Sequence, residues 1–185
     1  MARGLRVIAG TAGGLRLVAP KQARPSTDRA KESLFASLGS GPVDDAVVLD
    51  LYAGSGALGI EALSRGAGRA VFVDRDRHAV DAIRANLATT GFTEQARTQA
   101  STVAAFLRHP APEAPFDLVF CDPPYDRAAA ELDAELTILA GAGWLAPGAT
   151  VVLERRTGSP PELPGGWRVG RELAHGDTLL VVATV

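Results

Sequence analysis

A chain of 185 residues, 46% hydrophobic and 22% charged, has enough apolar material for one complete core and too little length for two ordinary domains. No apolar run approaches the roughly 18 residues of a membrane span, so a membrane protein is excluded and a cytoplasmic one expected. One cysteine rules out an internal disulfide, and three scattered histidines form no metal-ligand spacing, so no metal is expected. The net charge of −2 conceals an asymmetry. Within residues 1 to 31, Arg3, Arg6, Arg16, Lys21, Arg24, Arg29 and Lys31 stand against Asp28 alone, a balance of +6 that leaves −8 for the remainder. A basic leader on an acidic body is either a solvated surface or a footprint for a polyanion confined to one end.

Two alternating runs, Leu5 to Ala9 and Leu15 to Ala19, flank Gly10-Thr11-Ala12-Gly13-Gly14 and predict a β-hairpin. This gives an N-terminal extension over 1–22 and a main domain over 23–185. Ser26-Thr27-Asp28 is a helix-start signal, followed by Ala30, Leu34, Phe35 and Leu38 at helical spacing, with Gly39 and Gly41 as the stop. From Ala46 onward apolar runs alternate with helical patterns: strand 46–51, helix 57–65, strand 69–74, helix 77–90 and strand 96–100. A short helix at 103–107, a strand ending at Asp122, a helix over 128–140 and a strand over 150–154 continue the cadence. This alternation implies right-handed crossovers and a mostly parallel, twisted sheet covered on both faces. Trp167 to Leu173 and Thr178 to Thr184 are separated by only four residues, which admits an antiparallel hairpin and no crossover helix. Gly158 to Gly166, with three prolines, is the expected mobile loop.

Three strand tips carry acids: Asp50, Asp74 and Asp122. In open α/β sheets ligands bind outside the carboxyl ends of the strands, so all three stand where chemistry is expected. Gly54, Gly56 and Gly59 match G-x-G-x-x-G at the opening of a helix, and Asp74 ends the next strand. Glycine permits the close approach of backbone to ligand, and an acid at the second tip accepts from ribose hydroxyls, so a nucleoside is expected. Asp50 precedes the glycines, where its charge opposes a pyrophosphate and favours a cationic nucleoside such as S-adenosylmethionine over NAD. Its other reading is a loop hydrogen-bonding role. Asp122-Pro123-Pro124-Tyr125 follows an apolar strand. Proline fixes φ and removes a donor, leaving a rigid corner rich in acceptors beside one carboxylate and one flat ring. Such a corner either closes a buried strand or holds a planar amino group while the ring stacks on its base. A cation-nucleoside pocket joined to an amino clamp gives methyl transfer to an amine.

On these residues the chain resembles the class I S-adenosylmethionine-dependent methyltransferases, a Rossmann-like α/β class. Asp50 to Gly56 is similar to their cofactor loop, and Asp122 to Tyr125 to the [DNS]-P-P-[YFW] motif of enzymes that methylate exocyclic amino groups. A closer resemblance runs through Arg6 to Gly10, Arg24 to Phe35 and Gly176-Asp177-Thr178 to the bacterial RsmD family, 16S rRNA guanine N2-methyltransferases. The resemblance implies S-adenosylmethionine as cofactor, with Asp50, Tyr52, Gly54, Ser55, Gly56, Asp74, Arg75, Ser101 and Asp122 around it. Ser101 stands where many such enzymes carry an acid for the adenine amino group. Asp122, Pro123 and Tyr125 would hold the guanine as the catalytic set, and the seven basic residues of the leader would grip phosphates of 16S rRNA in the small subunit or its assembly intermediate. A monomer is expected. An adenine 6-amino methyltransferase, a non-catalytic assembly factor and a dinucleotide oxidoreductase are the alternatives. Arg155 and Arg156 are weaker candidates for the RNA surface, and Asp28 is either a helix cap or a cofactor-adjacent contact. His78, His109 and His175 have no triad context, and Cys121 is expected to be a buried, inert thiol.

Overall fold

The computed structural model describes residues 5–20, 28–109, 112–124, 127–141, 143–158 and 162–185. Thirteen regular elements are named here in chain order: α1 (Asp28–Leu38), β1 (Val47–Leu51), α2 (Ala57–Ser64), β2 (Arg69–Asp74), α3 (Arg77–Thr90), a 3-10 turn (Thr93–Gln95), β3 (Ala96–Ala100), α4 (Val103–Phe106), β4 (Phe116–Cys121), α5 (Ala129–Leu139), β5 (Leu145–Arg156), β6 (Arg168–His175) and β7 (Thr178–Thr184). The strands form one seven-stranded sheet in the order β3-β2-β1-β4-β5-β7-β6. The first five are parallel, and β7 runs antiparallel to both β5 and β6. The order reverses between β1 and β4, which makes their carboxyl ends the switch point of the sheet.

Strands buried on both faces need apolar residues at every position, and β1 and β4 meet that demand except at their tips. One face packs against α1, α2 and α3 through Leu34, Phe35, Ile60, Leu63, Ile83 and Leu87. The other packs against α4 and α5 through Val103, Leu132, Leu136 and Leu139, with Trp144 beside them. Both layers are continuous across the central strands, so the carboxyl tips at the switch point are held from two sides.

The N-terminal hairpin pairs at Arg6 and Arg16, with the amides of Val7 and Leu17 donating to the carbonyls of Leu15 and Leu5. Its apolar residues Leu5, Val7, Ala12 and Leu17 lie in the same core as α1 to α3. Its polar backbone is matched by buried side chains of the main domain. Glu61 accepts the amides of Ile8 (2.7 Å) and Ala9 (3.1 Å), and the Ser64 hydroxyl donates to Ala9 O and accepts from Ala12 N. Gly10 lies so close to α2 that a Cβ would stand 1.7 Å from the Ser64 carbonyl oxygen, a contact only glycine allows. The β5 strand is longer at both ends than the predicted 150–154, and the turn between β6 and β7 narrows to Gly176-Asp177.

Candidate active site at the β1 and β4 carboxyl ends

The glycine loop leaves β1 through three left-handed residues: Tyr52 (φ 59°), Gly54 (57°) and Gly56 (75°), the last at the N-terminus of α2. Left-handed backbone costs a glycine nothing and an aromatic residue a good deal, so Tyr52 is a strained position. Two acids brace the loop. Asp74 takes the amide of Gly54 on one carboxylate oxygen (2.8 Å) and that of Asp76 on the other (2.8 Å). It is only partly buried, and each oxygen keeps a lone pair for a ligand hydroxyl. Asp50 accepts the Gly59 amide at 2.9 Å. A Cβ on Gly59 would meet Phe72 Cε1 at 2.4 Å, so the third glycine of the pattern serves the packing of α2 on β2.

Asp50 is 2% exposed. Burial pushes its carboxyl up to about 8, with the Asp74 charge adding to the shift and the Gly59 hydrogen bond opposing it. The standing negative charge assigned to it from sequence is therefore replaced, in the free protein at neutral pH, by a neutral loop-bracing carboxyl. A cation arriving beside it would favour ionisation again.

Asp122 follows β4, its amide donating to Leu51 O on β1 at 3.4 Å. Side chains alternate along a strand and align across neighbours, so the pairing of Asp50 with Phe120 and of Phe120 with Val152 puts Asp50, Asp122 and Glu154 on one face. Burial, then the charges of Glu154 and Asp50, hold the Asp122 carboxyl well above the usual carboxylate range. Pro123 is buried and Pro124 exposed, and the Pro124 carbonyl accepts the Arg127 amide at 2.9 Å. Tyr125 lies outside the described residues.

Of the remaining expected cofactor residues, Ser55 is buried on the glycine loop and Arg75 is exposed after β2. Ser101 donates its hydroxyl to Thr102 O (3.0 Å) and its amide to Asp74 O (3.0 Å), which places it beside the β2 tip. Arg16 and Arg29 are exposed. Arg6 pairs with Asp28 at 2.9 Å on a partly open surface, so Asp28 spends its carboxylate on the hairpin. Arg3, Lys21 and Arg24 lie outside the described residues. Lys31 is a correction: it is 1% exposed, and its ammonium donates to Arg6 O at 2.5 Å inside the junction of α1 and the hairpin. Burial pulls its pKa down against the attraction of Glu61 and Asp28. It fastens the leader to the domain and offers no charge to a phosphate. Cys121 is buried, and burial, then Glu135 and Asp122, push its thiol up, which leaves it inert. His175 ends β6, with a buried Nε2 that has no hydrogen-bond partner.

Sequence reasoning missed four polar side chains that organise this end of the molecule: Glu61, Ser64, Asn86 and Glu135, all buried. Asn86 accepts from Val18 N (2.7 Å) and donates to Val18 O (2.9 Å) and Ser55 O (2.8 Å), joining the hairpin to the glycine loop. Each sits at a core-facing position of a helix, and a polar residue at apolar helical spacing is the signal that would have found them.

Sheet order, a glycine loop braced by the acid of the second strand, and an acid-proline corner across the switch point define a Rossmann-like methyltransferase. Comparison with known proteins narrows this: the family described as "Conserved hypothetical protein 95" matches residues 5–184, and the chain belongs to it, the RsmD family. It is 38% identical over 175 residues, 93% of this chain and 85% of the relative, to the ribosomal RNA small subunit methyltransferase D of Escherichia coli K12. It is also 38% identical to the putative rRNA methyltransferase YlbH of Bacillus subtilis, over 94% of this chain and 95% of the relative. Among solved structures, the putative methyltransferase yhhF from Escherichia coli is similar at a TM-score of 0.86 and 35% identity, covering 97% of both chains.

Proposed function

We propose that the chain transfers a methyl group from S-adenosylmethionine to the exocyclic 2-amino group of a guanine in small-subunit ribosomal RNA. The observation that carries this reading is the adjacency across β1 and β4 of the Asp74-braced glycine loop and the Asp122-Pro123 corner, joined by the Asp122 amide to Leu51 O. The residues fit the cofactor. Asp74 keeps acceptor capacity for ribose hydroxyls, the left-handed turn at Gly54 presents bare backbone, with only Tyr52 O within 4 Å of where its Cβ would stand, and the carboxyls of Asp50 and Asp122 complement a cation. Bound there, S-adenosylmethionine supplies an electrophilic methyl carbon on a sulfonium.

The protein's own groups do the rest. A guanine amino group is a weak nucleophile because its lone pair is delocalised into the ring. Asp122 and the Pro123 carbonyl accept its two hydrogens, which favours pyramidalisation and aims the lone pair for in-line attack. Tyr125 stacks on the base, worth about 1–3 kcal/mol by analogy with single-strand readers. The base is taken unpaired or flipped, since its amino edge and one face must both be reached. Arg3, Arg6, Arg16, Lys21, Arg24 and Arg29, the basic residues of the leader, contact phosphates, positioning the base without reading it. Kinship with rRNA methyltransferases at 38% identity supports the substrate class, and the cell compartment is the cytoplasm, where ribosomal subunits are assembled.

The test is methyl transfer from labelled S-adenosylmethionine to rRNA and to small subunits from cells lacking the gene, followed by nucleoside analysis. Labelled 2-methylguanosine is the expected product; labelled 6-methyladenosine, or no transfer to either substrate, overturns the reading.

A further inference from the structure

Tyr52 holds a backbone conformation that an aromatic residue adopts only when its surroundings enforce it. What enforces it reaches across the sheet. The Tyr52 hydroxyl donates to Oε2 of Glu135 on α5 at 2.5 Å, and Arg127 Nη2 donates to Oε1 of the same carboxylate at 2.5 Å. Arg127 Nη1 pairs with Glu131 at 3.1 Å, and its guanidinium carbon lies 5.8 Å from the centre of the Tyr52 ring. Glu135 is 4% exposed, and both of its oxygens are met by strong donors, as burial of such a group requires. Burial opposes the Arg127 charge, yet Tyr52, Glu135 and Glu131 more than offset this and hold its pKa above the ordinary value.

The two arms of this carboxylate end at different parts of the site. Tyr52 lies between β1 and Gly54, on the loop that faces the cofactor. Arg127 lies just beyond Asp122-Pro123-Pro124, and its amide donates a hydrogen bond to Pro124 O. We infer that Glu135 is a positioning residue that locks the cofactor loop and the amine clamp into one shared geometry, through Tyr52 on one oxygen and Arg127 on the other. The inference rests on the reading of Asp122 to Tyr125 as the amine clamp. It adds that loosening the clamp at Arg127 is felt at the cofactor, although Arg127 belongs to the opposite loop.

The experiment is a double-mutant cycle read by calorimetric binding of S-adenosylhomocysteine to the full chain, with Arg127→Gln, Tyr52→Phe and the double variant, and thermal unfolding run alongside. Each single change is expected to weaken binding by roughly fivefold, and the double variant to be no weaker than the worse single, because both cut the same link. Glu135→Gln, which keeps shape and one acceptor, should fall between wild type and Glu135→Ala. Losses that multiply in the double variant, or unchanged binding in Arg127→Gln, overturn the inference, since a purely structural role lowers stability without coupling the two loops. Should Arg127→Gln not fold, the cycle of Tyr52→Phe with Glu135→Gln decides on the same terms. A wild-type chain that binds no S-adenosylhomocysteine would instead refute the cofactor site, and product analysis on rRNA tests the clamp separately.

Discussion

Replacing Asp50 by asparagine tests the buried-acid account of the site most directly. A free aspartate ionises near 3.8, whereas Asp50 in the folded chain holds its proton to about 8. Between those values the folded state binds a proton that the unfolded state has lost, so unfolding releases it and stability falls as pH rises through the window. At 2.303RT per pH unit, the penalty grows from nearly nothing at pH 4 to about 4 kcal/mol at pH 7 and levels off above about 8. Asparagine titrates in neither state, and its amide oxygen still accepts the Gly59 amide. Its new N–H group carries an offset of its own, but that offset does not vary with pH and cancels in the comparison. Urea unfolding of the free protein at pH 4 and pH 7 should therefore show Asp50→Asn gaining about 4 kcal/mol on wild type between the two. The loss of a neighbouring acid also eases Asp122, which works in the same direction. A stability difference that stays constant from pH 4 to pH 8 would refute the neutral buried carboxyl.

Four further outcomes are expected. Asp122→Ala should lower methyl transfer by about a hundredfold or more with S-adenosylhomocysteine binding largely retained, because an acceptor that orients the amine is lost. Asp122→Asn should keep part of the rate and lose its rise with pH, since the wild-type carboxyl, held above its usual range, becomes the better acceptor as it ionises; single-turnover rates across pH check both. Glu61→Ala strands the amides of Ile8 and Ala9 beneath the hairpin and should cost about 3–5 kcal/mol in urea unfolding, with Glu61→Gln milder. Arg16→Glu, on an exposed site, should weaken rRNA binding and reduce the salt slope by about one to two, measured by filter binding at several ionic strengths.

Fold and motif were legible where one physical demand dominates a segment. β2 and α3 end at the residues that pattern picks out, because a buried strand and an amphipathic helix leave unmistakable periods. β5 was read short because Pro147 and Gly148 interrupt its first half, where the pairing with β4 also shifts register. Lys31 escaped because charge in a basic leader looks like surface; only the packing of hairpin on α1 shows that its ammonium is needed inside. Glu61, Asn86 and Glu135 are polar residues in otherwise apolar helical positions, and each has at least one partner more than fifty residues away, in Ile8, Val18 and Tyr52 respectively. No local rule carries that distance.

Those distant partners explain how a site assembled from loops stays in register. The glycine loop is held by Asp74 from β2, Asn86 from α3 and Glu135 from α5, and Asp50 from β1 holds the first turn of α2 behind it. Asn86 ties it to the hairpin that carries basic residues, and Glu135 to the turn behind Asp122. Hydrogen bonds of this kind are directional and wholly or partly buried, so displacing one of the buried ones leaves an unpaired group at a cost comparable to about a tenfold change in an equilibrium. The cluster of Asp50, Asp122 and Glu154 works the other way, since burial and neighbouring negative charge hold the carboxyls of Asp50 and Asp122 above their usual range. On the proposed reading, a cation bound beside them favours ionisation, and an ionised Asp122 is the stronger acceptor for an amino group. On that reading, the same acids that favour a cationic cofactor make the proposed clamp most competent when the cofactor is bound.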